Sequence, residues 1–173
     1  MFTTLISAAD LAAHLDDPDW IIFDCRHDLA DTAAGQRAYL QSHIRGAQFA
    51  HLDDDLSGPK TGANGRHPLP SPEKFCARMA ALGLRKGMQV VAYDAAGGCY
   101  AARLWWMLRW VGHERCAVLD GGWGAWCAAR LPVDAHMPAR QAGDFTGTTR
   151  DIAVDAHFIQ SRLGQARDVV LDA

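Results

Sequence analysis

The residues best placed to do chemistry fall in two stretches. The first is Tyr93-Asp94-Ala95-Ala96-Gly97-Gly98-Cys99-Tyr100-Ala101-Ala102-Arg103. It leaves the apolar run Gln89–Tyr93, which reads as a strand, and enters a helical pattern from Tyr100 to Trp110. Open α/β sheets place ligands where a strand's C-terminal end meets a helix N-terminus, and the first helical N–H groups there can hold an anion. Cys99 is a candidate nucleophile, because a helix N-terminus lowers a thiol's pKa. The simpler readings are a tight turn with glycines for backbone freedom and, for Cys99, a small half-buried residue packed beneath it. Several chemistries are excluded. G-x-x-x-x-G-K-[ST] and G-x-G-x-x-G are both absent. A cysteine phosphatase needs Cys-x5-Arg, and Trp105 stands where that Arg would follow Cys99.

The second stretch runs from Asp53-Asp54-Asp55 to Gly65-Arg66-His67-Pro68-Leu69-Pro70. It is acidic, then rich in Gly and Pro, and has no periodicity. Loops of this length inside a compact domain are usually functional or mobile. An Asp and a His on one such loop can form a carboxylate–imidazole pair, which sets the tautomer for proton transfer. The alternative is a solvated acidic turn and an unrelated His. The three aspartates lack the spacing and terminal Glu of a calcium loop.

Other candidates read as architecture. Trp105, Trp106, Trp110, Trp123 and Trp126 recur at helical spacing and are expected to pack the core and its inter-element contacts, as are Met107 and Leu108. His113, after Gly112, reads as a polar residue at a helix end. The five cysteines (Cys25, Cys76, Cys99, Cys116, Cys127) are odd in number and form no C-x-x-C pair. That disfavours a zinc site and a disulfide framework and points to a reducing cytoplasm.

The elements that must position these residues follow in order. Ser7 caps a short helix, with Asp10 favouring its dipole. Ile21–Phe23 reads as a buried strand ending in Asp24-Cys25-Arg26-His27. A weak helix spans 32–43, and residues 44–49 turn into a second short strand. Ser71 caps a helix with Pro72 at its first position, closed near Leu82 and Gly83. Cys116–Leu119 is a further strand, followed by Asp120-Gly121-Gly122 and a short helix through Trp126. Strands alternating with helices specify an α/β domain with a mostly parallel sheet. The 173 residues are 49% hydrophobic and 21% charged, with a net charge of −3. This composition is globular and argues against nucleic-acid or anionic-membrane partners. No apolar run reaches the roughly 18 residues of a membrane span, and the N-terminus lacks the pattern of a signal peptide.

The end of the chain echoes its beginning. Asp155-Ala156-His157-Phe158 to Val169–Ala173 resembles Ser7-Ala8-Ala9-Asp10-Leu11 to Ile21–Cys25. The helix start precedes the strand's terminal Asp (Asp24, Asp172) by the same interval. The plain reading is a coincidence between two ordinary helix–strand units; the alternative is an internal repeat at that offset, which makes residues 1–140 one domain and 141–173 a linker with the first helix and strand of a second.

Taken in order, these stretches resemble the rhodanese superfamily, in particular the N-terminal domain of two-domain sulfurtransferases. The matching pieces are Ile22-Phe23-Asp24-Cys25-Arg26 (family D-[AV]-R), His43-Ile44-Arg45-Gly46-Ala47 (H-I-x-G-A) and Gly65–Pro70. Val91–Asp94, Ala101–Arg109 and Val118–Gly122 match as well. The resemblance implies a parallel five-stranded sheet flanked by helices. It also implies transfer of sulfane sulfur from thiosulfate or 3-mercaptopyruvate to cyanide or a thiol, through a cysteine persulfide and without a cofactor or metal. In such enzymes the Cys opens the active loop of the second domain, a partner in cis. Here Asp94 occupies the equivalent position, so this copy is expected to be inert as a donor. The resemblance further assigns His67 and Asp53 to a possible Ser–His–Asp-like relay with the second domain, and Arg66 to the substrate anion. The His67 loop leans towards mercaptopyruvate. The alternative is a free-standing, non-catalytic rhodanese module used for binding or regulation, and a third version gives Cys99 its own sulfur-carrier role.

Overall fold

The computed structural model describes residues 1–165 and 167–170. Seven strands and six helices alternate along the described residues: β1 (Leu5–Ile6), α1 (Ala8–Ala12), β2 (Trp20–Asp24), α2 (Ala34–Gln41), β3 (His43–Ile44), β4 (Gln48–Phe49), α3 (Pro72–Ala81), β5 (Gln89–Tyr93), α4 (Cys99–Trp110), β6 (Cys116–Leu119), α5 (Gly122–Ala128), β7 (Val133–Asp134) and α6 (Ala156–Arg162). Five strands form one parallel sheet in the order β1-β6-β5-β2-β4. A small antiparallel pair, β3 with β7, lies beside it.

The two longest strands, β2 and β5, are buried at every position. That is the pattern of parallel strands covered on both faces, and their period of two divides the core. Ile21, Phe23, Val90 and Ala92 face one way, against Phe75 and Met79 of α3 and Leu104, Met107 and Leu108 of α4. Trp20, Ile22, Val91 and Tyr93 face the other way, with Leu11 of α1 and Trp126 of α5. The tryptophans divide accordingly. Trp110 and Trp126 are buried, while Trp105 and Trp106 are half-buried against the first core. Trp123 lies 4.4 Å from the Arg26 guanidinium.

The end signals act as their chemistry dictates. Ser7 Oγ accepts from Asp10 N, and Ser71 Oγ from Lys74 N. Two elements escape the sequence pattern because they are two residues long, too short to show a period: the edge strand β1 and β7. His113 stands at the end of α4 as its sequence position suggests, and it is buried there, its ring edge-on to Phe145 at 5.4 Å. Phe145 is itself in the core, because Gly143 N donates to Ala80 O and Arg150 N to Trp110 O, laying this segment against the domain. Asp155 caps α6 by accepting from Phe158 N, as Ser7 caps α1. No α6 residue is buried. Val169 and Val170 lie in no strand, and the rest of that expected strand, 171–173, lies outside the described residues.

A buried ion pair ties the sheet to its flanking elements. Asp24, at the end of β2, receives Arg26 Nε at 2.9 and 3.0 Å and Arg26 Nη2 at 2.6 Å. It also accepts the Tyr93 hydroxyl at 2.6 Å. Tyr93 in turn accepts Ile44 N, and Arg26 donates to Ser42 O. Removing one member leaves the others buried and unpaired, which costs about 3–5 kcal/mol for a charge and about 1–3 kcal/mol for a neutral group. Urea denaturation should therefore rank D24N as more destabilising than Y93F. Equal, small effects would show that the network does not hold the fold.

Candidate functional site

The strands of a parallel sheet all end at one edge, so the loops after β2, β4, β5 and β6 gather there. The turn after β5 is built around Asp94, 1% exposed. Its Oδ1 accepts Ala96 N and Gly98 N, and its Oδ2 accepts Tyr100 N and Ala101 N, each at 2.8 Å. Gly97 and Gly98 both take the left-handed conformation, with φ of 73° and 93°, which bends the chain so that its N–H groups point inward. The first turn of α4 supplies the other two donors. The Asp94 carbonyl accepts Trp123 N at 2.8 Å, so the start of α5 docks on the same residue. Here a Cβ on Gly122 would lie 2.4 Å from the carbonyl oxygen. This is an anion cradle, and the chain's own carboxylate fills it.

Cys99 departs from both expectations placed on it. It is exposed rather than packed beneath the turn. Its pKa is raised rather than lowered, by desolvation and by the Asp94 charge. Backbone N–H groups at the helix start pull the thiol down, but desolvation and the Asp94 charge outweigh them. Among the other cysteines, Cys25, Cys76 and Cys116 are buried; burial raises all three thiols, Cys116 to about 12. Cys127 is exposed, and all five are free.

The loop after β4 brings Asp53 and His67 together, with His67 Nε2 3.5 Å from Asp53 Oδ1. Lys60 Nζ donates to the same oxygen at 3.0 Å. That bond holds the Asp53 carboxyl below the usual range. Burial keeps His67 below the usual imidazole range although Asp53 pulls it upward, while Lys60, Arg103 and Arg66 push it down. Arg66 is exposed beside them and donates to Leu29 O. The acidic run divides by role. Asp53 faces His67 and Asp54 faces solvent. Asp55 is buried, accepting His51 N and Arg78 Nε and so tying the loop to α3.

Three residues of this site were not legible as functional in the sequence. Arg103, on α4, donates to the carbonyls of Leu56, His67 and Pro68, which pins the His67 loop to α4. His51 Nδ1 accepts Asp53 N and Asp54 N. Its Nε2 therefore carries the proton and donates to Thr32 O. His27, at the end of β2, has its side chain buried next to Asp53. The available signal was positional, since His27 and His51 follow strands at the ligand edge. Among the described residues no His/Cys/Asp/Glu group is arranged to hold a metal, and no helix is long and apolar enough to cross a membrane.

A parallel five-stranded sheet with an anion cradle at the β5–α4 turn defines an α/β domain of the rhodanese type. A family model agrees: residues 7–129 match the Rhodanese-like domain. The chain belongs to the rhodanese family. It is 44% identical over 172 residues to the "Probable 3-mercaptopyruvate sulfurtransferase" of Pseudomonas aeruginosa, covering 98% of this chain and 61% of that protein. It is 34% identical over 161 residues to the 3-mercaptopyruvate sulfurtransferase of Escherichia coli K12, covering 89% and 55% respectively. The crystal structure of SseA from Escherichia coli, described as showing the rhodanese fold of 3-mercaptopyruvate sulfotransferases, superposes with a TM-score of 0.81 at 30% identity. The match covers 93% of this chain and 62% of that one. The chain thus spans little more than half the length of these relatives.

The four N–H groups make a sharp prediction. An Asn at position 94 keeps the size of Asp but turns an NH2 donor towards two backbone donors. D94N should therefore destabilise nearly as much as D94A, each by about 3–5 kcal/mol, in urea unfolding. A D94N protein as stable as the parent would contradict the cradle.

Proposed function

We propose that this chain is the non-catalytic rhodanese copy of a sulfurtransferase that uses thiosulfate or 3-mercaptopyruvate as donor and cyanide or a thiol as acceptor. The observation that carries the reading is the Asp94 carboxylate in the cradle. A sulfur carrier needs a thiolate there, which attacks the donor's sulfane sulfur. Thiosulfate then leaves as sulfite, and a cysteine persulfide remains. An acceptor takes the outer sulfur and restores the thiolate. A carboxylate cannot make that bond, so the carrier thiol lies on a second rhodanese domain in cis. The greater length of the relatives supports this reading, as does the recurrence at Asp155 of the helix cap at Ser7. On the same reading residues 1–140 form the inert domain, and 141–173 are the linker and the start of the second, opening with α6. The free cysteines suit a reducing cytoplasm.

The inert domain then supplies one wall of an interdomain cleft. Lys60 and Arg66 give that wall positive charge for anionic donors. His67, oriented by Asp53, handles a proton. Mercaptopyruvate gives up its sulfur with formation of an enolate, which must take up a proton to leave as pyruvate; sulfite needs none. The His67 relay therefore favours mercaptopyruvate.

The two donors separate these roles. In a protein joining this chain to its second domain, H67Q should lower kcat with mercaptopyruvate by about 10²-fold, the usual size of an acid–base contribution. It should change thiosulfate turnover far less. Equal losses with both donors would remove the proton-transfer role. Thiocyanate production by the 173-residue chain alone, at the rate of the joined protein, would remove the reading as an inert copy. It would also exclude the alternative of a free-standing binding module.

A further inference from the structure

The loops around Asp53 contain a histidine to which the relay assigns nothing. The His27 side chain is 1% exposed, and neither ring nitrogen has a hydrogen-bond partner among the described residues. Leaving a buried polar group unsatisfied costs about 1–3 kcal/mol, and such exceptions need a reason. Three rings wall it in: Tyr100 of α4 at 5.3 Å, His51 at 5.5 Å and His67 at 6.5 Å, all steeply inclined to it. Its backbone cannot retreat, because Gly35 of α2 packs on it so closely that a Cβ there would lie 1.8 Å from Arg26 O. The nearest acidic group is the Asp53 carboxylate, whose Oδ2 is 4.0 Å from His27 Nε2.

Asp53 is thus addressed from three sides. His51 accepts its N–H and fixes its main chain. Lys60 and His67 lie at Oδ1, and His27 stands behind Oδ2. We propose that His27 is a positioning residue: its Nε2–H, facing Asp53 Oδ2 at 4.0 Å, holds the Asp53 carboxylate turned towards His67 in the free chain. The inference rests on the His67–Asp53 relay proposed above. His27 suits the part as a neutral donor. Burial and the neighbouring His51 and His67 hold it below the ordinary imidazole range, against the pull of Asp53 and Asp28. A second cation there would compete with His67 for the same carboxylate; a neutral N–H does not.

The test reads the coupling between Asp53 and His67 in the 173-residue chain, by NMR titration of the His67 ring. Facing the ring are Asp53, Lys60, Arg66 and Arg103. Removing the negative charge with D53N should lower the His67 midpoint by about one unit. In an H27L background that shift should fall to less than half, because an unheld carboxylate no longer faces His67. H27Q keeps an N–H donor at nearly the same reach and should restore the full shift. If Leu at position 27 does not fold, Phe fills the same ring-walled space without a polar atom and carries the same comparison. A D53N shift as large in H27L or H27F as in the parent overturns the role of His27 and leaves the relay standing. No D53N shift in any background overturns the relay, and the proposal with it.

Discussion

A negative charge taken out of water must be met by donors wherever it goes, and much of the functional edge of this domain follows from meeting one such charge. Asp94, following the central strand β5, carries a buried carboxylate, and among the described residues no cation pairs with it. Four backbone N–H groups do. To supply them the chain must turn left-handed twice at Gly97 and Gly98 and then enter α4 at once. The same residue's carbonyl receives the start of α5. Sheet, α4 and α5 are thereby fixed around one point. The neighbouring strand β2 meets its own buried carboxylate, Asp24, by the other route, with the Arg26 guanidinium and the Tyr93 hydroxyl.

A filled cradle also defines what the edge can do. Desolvation, and the negative charge of Asp94 beside it, keep Cys99 at the first position of α4 from being activated. On the function proposed above, the chemistry left to this chain lies beside the cradle, at Asp53 and His67. Arg103 connects the two regions: from the helix that begins at the cradle it holds the carbonyls of Leu56 and His67. The long loop is therefore held in place around His67, and Asp55 anchors it from below through Arg78.

Much of this was legible from residues alone. The runs Ile21–Phe23 and Gln89–Tyr93 announce buried parallel strands. Ser7 and Ser71 announce helix starts, because a hydroxyl at that position satisfies an N–H the helix cannot. The pairing of Asp53 with His67 could be suspected, since one loop carried both. What could not be read was long-range. The strands β1 and β7 exist only because a partner strand is there to pair with, and two residues carry no period of their own. Arg103 looks like any polar residue on a helix until the loop is folded over it. His113 becomes a buried residue only when the segment around Phe145 packs back on the domain. His27 is a polar residue after a strand, and its burial depends on rings contributed by α4 and by the loop between β4 and α3.

The central claim is that the turn from Asp94 to Ala101 is a seat for a negative charge, filled here by a carboxylate. Placing a thiol in that seat tests it most directly. In a D94C protein, the pH dependence of alkylation at residue 94 reports the thiol's pKa. Four inward N–H groups favour the thiolate, so the account predicts a midpoint at or below about 7, well under the ordinary value near 8.5. A folded D94C protein whose residue-94 thiol titrates at or above the ordinary value would contradict it.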